Sequence, residues 1–166
     1  MNIAAHVKNN ASIFGDKIAI SYLNKQYTYK QVWSLIIGFS NILISKGMKK
    51  GDHIGLAMKD HPLHLIAHFS VAAIGAIIVP IDHRWTENEK ERISLVFQVK
   101  LLIMDQGDID NINTIPLTEL DIKENIHPNS EIDLNYKQDL LISLSSGTTG
   151  KPKGAILTHD NLYQRF

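Results

Sequence analysis

The residues of this chain that could do chemistry are concentrated between Ser145 and Gly154, where the sequence reads SSGTTGKPKG. Glycines let the backbone approach a ligand closely, the four hydroxyls and the loop's own N–H groups can donate hydrogen bonds, and a lysine supplies positive charge. This combination is suited to a polyphosphate. The segment holds no acid, base or nucleophile, so it indicates how a nucleotide is held and leaves the catalytic residues unknown.

A Walker loop is one alternative for such a segment. It requires two glycines separated by four residues, then Lys and Ser or Thr, with a helix starting at once. Here Gly150 is followed by KPKG, and Pro152 and Gly154 both disfavour an immediate helix. The next residues, 155–158, read AILT and are typical of a strand. The sequence therefore predicts a loop that joins two strands, and a helix starting at Lys151 would instead indicate a Walker-type phosphotransferase.

Three histidines and a polar turn could also be mistaken for sites. His61, His64 and His68 have helical spacing, so two of their imidazoles could share a metal ion. The second pair encloses LIA, without the glutamate of the zinc-protease motif, and we interpret all three as surface or cap residues. The turn DHRWT is interpreted as structural, with Asp82 and Thr86 ordering the helix that follows.

The elements that must position the loop follow from hydrophobic periodicity. Alternation over residues 17–29 predicts a β-hairpin with Asn24 and Lys25 in its turn. Helices are predicted to begin at three signals: the capping box of Thr28 and Gln31, Pro62, and the capping box of Thr86 and Glu89, whose helix should reach about Val99. Buried strands are predicted at residues 53–58, 77–81 and 101–104.

The order of these elements predicts the fold class. Strands that alternate with helices indicate an α/β fold with a largely parallel sheet and flanking helices. Residues 106–138 are rich in Asp, Asn, Ile and Pro and lack sustained periodicity. We expect them to form an irregular excursion with at most one short edge strand.

Composition excludes several classes of function. The 166 residues are 44% hydrophobic and 20% charged, which is ordinary for one globular domain. Seventeen basic residues balance 17 acidic ones, so the broad attraction of a nucleic-acid or anionic-membrane binder is not expected. The absence of cysteine excludes disulfides and thiolate sites. No leader or membrane span is indicated, and a cytoplasmic location is expected.

The segment from Ile142 to Gly154, ISLSSGTTGKPKG, closely resembles the phosphate loop of the adenylate-forming (AMP-binding) superfamily. That superfamily includes acyl-CoA synthetases, peptide-synthetase adenylation domains and luciferases. Other segments resemble further sequence motifs of the superfamily and follow one another in the same order. They are YTY at 27–29, GMKKGD at 47–52, GAIIVPID at 75–82 and LTHDNL at 157–162. The resemblance implies that residues 1–166 are a partial AMP-binding (adenylation) domain, the first half of the large amino-terminal domain, ending after the phosphate loop.

The resemblance also implies the chemistry. In that family a carboxylate attacks the α-phosphate of ATP, giving an acyl-adenylate and pyrophosphate, and a thiol then takes the acyl group. The loop would hold the β- and γ-phosphates. The implied partners are a carboxylic acid, ATP with Mg²⁺, and CoA as co-substrate. The implied phosphate contacts are Ser145, Ser146, Gly147, Thr148, Thr149, Gly150 and Lys153, with the Thr148 hydroxyl as a metal ligand.

Among family members, IIVP and Arg84-Trp85 are more similar to acyl-CoA ligases, enzymes of fatty acid metabolism, than to peptide-synthetase domains. The leading hypothesis is therefore the amino-terminal piece of an ATP-dependent acid–CoA ligase, inactive alone because the family supplies its remaining catalytic parts downstream. The alternatives are a non-catalytic truncated nucleotide-binding module and a fragment of a peptide-synthetase-type adenylation domain. A fragment whose sheet stops at the strand beside the phosphate loop leaves an edge of that sheet uncovered. We therefore expect the fragment to self-associate.

Overall fold

A six-stranded sheet lies at the centre of the computed structural model, which describes residues 1–126, 132–135, 138–145 and 152–164. Beside it lies a separate two-stranded hairpin. Within the described residues the elements are, in chain order, α1 (Ile3–Ile13), β1 (Ile18–Tyr22), β2 (Lys25–Thr28), α2 (Tyr29–Ser45), β3 (His53–Ala57), α3 (Pro62–Ala73), β4 (Ile77–Pro80), α4 (Glu87–Val96), β5 (Leu101–Met104), β6 (Thr114–Pro116), α5 (Glu119–Glu124), β7 (Asp139–Ser145), β8 (Lys153–Thr158) and α6 (His159–Tyr163).

The strand order in the large sheet is β6-β5-β3-β4-β7-β8. Strand β3 pairs in parallel with both β4 and β5, β5 pairs in parallel with β6, and β4 pairs in parallel with β7. Strands β7 and β8 pair antiparallel. Parallel strands need a crossover connection: α3 connects β3 to its neighbour β4, and α4 connects β4 to β5 on the other side of β3. The α/β class with a largely parallel sheet is confirmed.

Both faces of the sheet are covered, because successive residues of a strand point to opposite sides. On one face Ile54 and Ile103 belong to a core cluster with Phe39 of α2 and Ile66 of α3. On the other face Leu102 belongs to a second cluster, together with residues of β4, α4 and β7. Burying each large aliphatic side chain contributes about 1.5–3 kcal/mol, so the two clusters hold the central strands rigidly.

Both predicted capping boxes are present. Gln31 N donates to Thr28 Oγ1 at 3.2 Å and Thr28 N donates to Gln31 Oε1 at 2.8 Å, at the start of α2. The same reciprocal pair starts α4, with Glu89 N to Thr86 Oγ1 at 3.3 Å and Thr86 N to Glu89 Oε2 at 2.8 Å. Pro62 begins α3 as predicted, with the side chain of His61 accepting from Leu63 N.

Two predicted boundaries are wrong by a few residues. The hairpin turn is formed by Leu23 and Asn24, because Tyr22 pairs with Lys25; Leu23 takes a left-handed φ of 51°. Helix α4 ends at Val96 instead of about Val99, since Gln98 adopts a φ of 52° that redirects the chain into β5. Local sequence patterns did not indicate either left-handed residue.

Two helices were not predicted from the sequence. Helix α1 is held at its start by Asn2, whose side chain accepts from Ala4 N and donates to Ala72 O, each at 2.9 Å. Helix α5 lies within the excursion at 106–138, and its Ile122 is fully buried against α2. The excursion also contains β6, the predicted edge strand. None of the helices in the described ranges is both long and apolar enough to cross a bilayer.

Candidate phosphate-binding edge

The loop predicted to bind phosphate starts and ends on a pair of neighbouring strands. Ser145, the last residue of β7, is the antiparallel partner of Lys153, the first residue of β8. Ser145 Oγ lies 3.5 Å from the carbonyl oxygen of Lys153, and both residues are exposed. The predicted contacts Ser146, Gly147, Thr148, Thr149 and Gly150 lie outside the described residues. Of the predicted contacts, the structure therefore brings together the two at the base of the loop.

The chain after the loop is a strand. Strand β8 starts at Lys153 and continues to Thr158, and the next helix begins only at His159. This confirms the prediction that the loop joins two strands. It contradicts the helix that a Walker loop requires at this point.

The base of the loop lies at the edge of the sheet where ligands usually bind. Strands β3, β4, β5 and β7 are mutually parallel, so their carboxyl ends meet at one edge. Ligands of open α/β sheets bind in the crevice outside the carboxyl ends of the strands. We call this border, with the residues that directly follow the four strands, the carboxyl edge.

A side-chain hydrogen bond crosslinks two strands at the carboxyl edge. His61 Nε2, after β3, lies 2.6 Å from Asp105 Oδ1, after β5, and Lys59 N donates to Asp105 Oδ2 at 2.9 Å. Partial burial alone would raise the pKa of Asp105, but these contacts with His61 and Lys59 lower it overall. His61 is thus both a cap, as predicted, and a crosslink that the sequence did not indicate.

An ion pair follows β4. Arg84 Nε donates to Asp82 Oδ1 at 3.0 Å, and Arg84 Nη2 donates to Asp82 Oδ2 at 2.6 Å. The backbone N–H of Arg84 also donates to Asp82 Oδ1, at 2.9 Å. These bonds hold the pKa of the Asp82 carboxyl well below its usual range and raise the pKa of Arg84. Asp82 therefore orders the turn, whereas the helix that follows is ordered by Thr86, its N-cap.

Close packing behind the loop requires glycine at position 154. A Cβ there would overlap Ile142 Cγ2 on β7 and lie 2.9 Å from Phe97 Cε1 at the end of α4. The backbone of β8 therefore lies unusually close to α4 next to the loop. Packing against Ile142 and Phe97 therefore accounts for the glycine at position 154 of the motif.

The other two histidines of the trio line a groove that Asp60 and His61, at the carboxyl edge, also line. His64 and His68 are one helical turn apart, with ring centroids 4.7 Å from each other. They line a cavity of about 750 Å³ between α1, α3, α6 and the hairpin. Burial lowers the pKa of both imidazoles. The described residues contain no group of three or more His, Cys, Asp or Glu side chains that could hold a metal ion. His64 and His68 are half-buried in the groove wall, which is a more buried setting than the surface or cap position expected from the sequence.

A buried histidine connects the two ends of the described chain. His159 follows β8 and is fully buried, and its Nδ1 accepts a hydrogen bond from Ile3 N at 3.1 Å. Burial, together with the nearby terminal ammonium, lowers the pKa of His159 to about 4. The terminal ammonium also pairs with Asp160 Oδ1 at 2.8 Å. Sequence reasoning missed these contacts because the partners are far apart along the chain.

The family model for the AMP-binding enzyme matches residues 7–166. The chain belongs to the AMP-binding enzyme family. The match includes the whole β7–loop–β8 unit and every element from α2 onward, so the resemblance based on the loop is confirmed for nearly the full chain.

Relatives in the family include both CoA ligases and a peptide synthetase. Crotonobetaine/carnitine–CoA ligase of Salmonella paratyphi C (strain RKS4594) is 28% identical over 182 residues, covering 92% of this chain and 35% of the relative. Tyrocidine synthase 1 of Brevibacillus parabrevis is 28% identical over 170 residues, covering 93% of this chain and 15% of the relative. The chain thus spans about a third, or less, of the length of these relatives.

Solved structures show the same fold. The amino-terminal subdomain of Klebsiella oxytoca NpsA, in complex with 3-hydroxybenzoyl-AMSN, has a TM-score of 0.83 at 19% identity and covers 95% of this chain and 41% of that one. O-succinylbenzoate coenzyme A synthetase of Bacillus subtilis, in complex with AMP, also has a TM-score of 0.83 at 19% identity. The match covers 96% of this chain and 43% of that one. The fold is that of the amino-terminal subdomain of adenylate-forming enzymes.

Proposed function

We propose that this chain is the amino-terminal part of an ATP-dependent acid–CoA ligase, which activates a carboxylic acid as an acyl-adenylate and transfers it to CoA. The observation that carries the proposal is the position of the loop. In a member of the AMP-binding enzyme family, a glycine- and hydroxyl-rich loop leaves β7 and returns on β8 at the carboxyl edge. The likeness to crotonobetaine/carnitine–CoA ligase supports CoA as the acyl acceptor.

In this proposal the loop binds the β- and γ-phosphates of ATP. The donor set fits: Ser145 and Lys153 contribute a hydroxyl and an ammonium at the base, and the motif adds further hydroxyls and backbone N–H groups. A hydrogen bond to a charged oxygen contributes about 1.5–3 kcal/mol, so several of them position a triphosphate. The phosphate roles of Ser146, Gly147, Thr148, Thr149 and Gly150 are part of the proposal.

Mg²⁺ would supply charge neutralisation at the phosphates, with the Thr148 hydroxyl as its proposed protein ligand. A hydroxyl is an oxygen donor, the ligand type that this cation prefers. The described residues add no cluster of three metal-ligating side chains. The roles of the chain's own residues below do not depend on the ion.

The proposed reaction has two steps. A carboxylate oxygen of the acid attacks the α-phosphorus of ATP, and the bond from that phosphorus to the pyrophosphate oxygen breaks. The CoA sulfur then attacks the acyl carbon, the bond to AMP breaks, and the thiol proton is released. Holding the β- and γ-phosphates aligns the leaving group in the first step and stabilises its growing charge. We propose that the reaction takes place in the cytoplasm.

Isotope exchange between pyrophosphate and ATP tests the first step. The full-length product of the gene, given a panel of carboxylic acids, should exchange label only when its own acid is present. The 166-residue chain should show no exchange. Acid-dependent exchange by the 166-residue chain would contradict its inactivity, and absence of exchange by the full-length product would favour the non-catalytic nucleotide-binding alternative.

A peptide-synthetase-type adenylation domain is the second candidate function, and the likeness to tyrocidine synthase 1 favours it. The two candidates differ in the thiol that accepts the acyl group. After adenylate formation, the full-length product is given CoA or a phosphopantetheinylated carrier protein. A free acyl-CoA thioester supports the ligase. Loading of the carrier protein without acyl-CoA formation supports the synthetase.

A further inference from the structure

The groove that His64 and His68 line is mostly apolar. Its volume is about 750 Å³, and its walls belong to α1, α3, α6 and the hairpin. Each of the four walls contributes apolar side chains, among them Val7, Ile20, Phe69 and Leu162. Leu65 of α3 is 44% exposed and Tyr163 of α6 is 56% exposed, although both line the groove. The groove therefore presents apolar surface to solvent, and covering that surface would stabilise the protein.

The charges around the groove favour an apolar occupant. Burial lowers the pKa of His64 and of His68, so these two imidazoles are neutral at about pH 7. Among the described residues that line the groove, none is a lysine or an arginine, and Asp60 is the one carboxylate. The Asp60 side chain is fully exposed. An anion would therefore meet no lysine or arginine in this groove, whereas an apolar side chain would meet a matching surface.

The end of the described chain forms part of the groove wall. Helix α6 starts at His159, which is fully buried and accepts a hydrogen bond from Ile3 N. Leu162 and Tyr163, at the other end of α6, line the groove. The Tyr163 ring stacks on the ring of His6, with the two centroids 4.9 Å apart. The chain therefore leaves the described part of the structure beside the apolar wall.

This exit point favours one occupant over the others. The chain spans about a third, or less, of the length of its relatives, so we expect the full-length gene product to continue well beyond residue 166. A segment tethered by a short linker acts at an effective concentration of roughly millimolar. A second copy of the protein at about micromolar concentration must also lose translational and rotational freedom. The tether therefore favours the segment that follows α6 over a second copy.

We propose that the groove is the docking surface for the segment that directly follows residue 166 in the full-length gene product. Apolar side chains of that segment cover Leu65 and Tyr163, and the docked segment fixes the carboxyl end of α6. The inference goes beyond the proposed function, because this docking needs neither ATP nor catalysis.

Photocrosslinking in the purified full-length gene product tests which segment occupies the groove. Leu65 is replaced by p-benzoylphenylalanine, which is apolar and photoreactive. The control carries the same replacement at Leu23, which is 88% exposed on the hairpin turn. After irradiation, mass spectrometry identifies the crosslinked peptides and sedimentation gives the mass of the crosslinked species.

Position 65 is expected to crosslink within one molecule to a peptide that lies shortly after residue 166, and position 23 is not. Crosslinked dimers formed through position 65 would show that a second copy occupies the groove and would overturn the proposal. Absence of any crosslink from position 65 to a peptide beyond residue 166 would overturn it as well.

Thiol labelling is the second measurement, because p-benzoylphenylalanine is larger than leucine and can displace an occupant. The 166 residues contain no cysteine, so Leu65→Cys adds one thiol to this part of the chain. Ile44→Cys is the matched control. Ile44 is also helical and is 51% exposed, and it lies about 18 Å along α2 from Val32 of the groove. Mass spectrometry of each cysteine peptide gives its labelling rate, relative to the same variant in urea.

In the full-length gene product, Leu65→Cys should be labelled at least about tenfold more slowly than Ile44→Cys, because labelling requires the docked segment to open locally. Equal labelling rates of the two variants would show an uncovered groove and would overturn the proposal. The two inferences fail separately, since a full-length product that does not bind ATP but protects position 65 would contradict the proposed function alone.

Discussion

The two residues at the base of the loop combine a fixed backbone with exposed side chains. Ser145 and Lys153 are paired across β7 and β8, so their backbones are held by the sheet. Both are nevertheless exposed at the carboxyl edge. A ligand contact at either position can therefore be removed without disturbing the core.

Lys153→Ala tests this separation of roles. It should weaken the binding of ATP with Mg²⁺ by the full-length gene product by about tenfold or more, since a charge-assisted hydrogen bond is lost, while the melting temperature changes little. Calorimetry and thermal unfolding measure the two effects, with Lys46→Ala as the matched control. Equal ATP affinity in Lys153→Ala and wild type would remove Lys153 from the site.

Gly154→Ala tests the close packing behind the loop. The added Cβ would overlap Ile142 Cγ2 and crowd Phe97, so we expect a loss of about 1–3 kcal/mol in the free energy of unfolding. Ala155→Val is the control, because Ala155 is exposed on the same strand. Chemical denaturation of both variants measures the difference. A stability of Gly154→Ala equal to that of wild type would show that β8 does not need this close approach.

Residue-level prediction from sequence succeeded where the signal was local. The prediction of a loop between two strands is confirmed by β7 and β8, whereas the phosphate contacts of Ser145 and Lys153 stay predictions. The bonds of His61 to Asp105 and of Ile3 to His159 join residues far apart in the chain. No spacing rule indicates such pairs, because the fold alone brings them together.

At the scale of elements, the helices that carry their own start signals were predicted and those that depend on packing were not. Helices α2 and α4 begin at capping boxes, whose hydrogen bonds are encoded within four neighbouring residues. Helix α1 depends on Asn2 reaching Ala72, and α5 depends on Ile122 entering the core against Gly38. Neither helix starts with a reciprocal capping box, so tertiary contacts decide their structure.

The contact between α1 and α6 predicts a pH dependence of stability. Because the pKa of His159 is lowered to about 4 in the folded chain, the unfolded chain binds more protons between that value and the ordinary pKa of about 6.5. The contribution is therefore fully present above about pH 6.5 and is lost as the pH falls toward 4. The lowered pKa values of His64 and His68 act in the same direction.

Urea denaturation of the 166-residue chain at about pH 7 and about pH 5 measures this effect. The wild type should be less stable at the lower pH. His159→Gln should be less stable than wild type at about pH 7 and should lose less on acidification. An identical pH dependence in wild type and His159→Gln would show that His159 is not responsible.

At the scale of the whole molecule, β8 is an exposed edge strand of the six-stranded sheet. This strand lies at the end of the strand order, next to β7, and Ile156 on it is 56% exposed. Leu95 and Val96 of α4 are also exposed. Exposed strand edges and apolar surface promote pairing with other chains.

The 166-residue chain is therefore expected to self-associate at micromolar concentration. Ile156→Lys should reduce the association, because a charge on an edge strand disfavours pairing, and Leu23→Lys is the control on the exposed hairpin turn. Sedimentation velocity over a concentration series measures both. A wild-type chain that sediments as a monomer and melts cooperatively would contradict the expectation.

The central claim is that the loop between β7 and β8 binds the phosphate tail of a nucleotide. A crystal structure of the full-length gene product with an unreactive ATP analogue and Mg²⁺ tests it most directly. We predict β- and γ-phosphate oxygens within hydrogen-bond distance of residues 145–153. Clear density for the phosphates elsewhere, with this loop making no contact to the nucleotide, would contradict the claim.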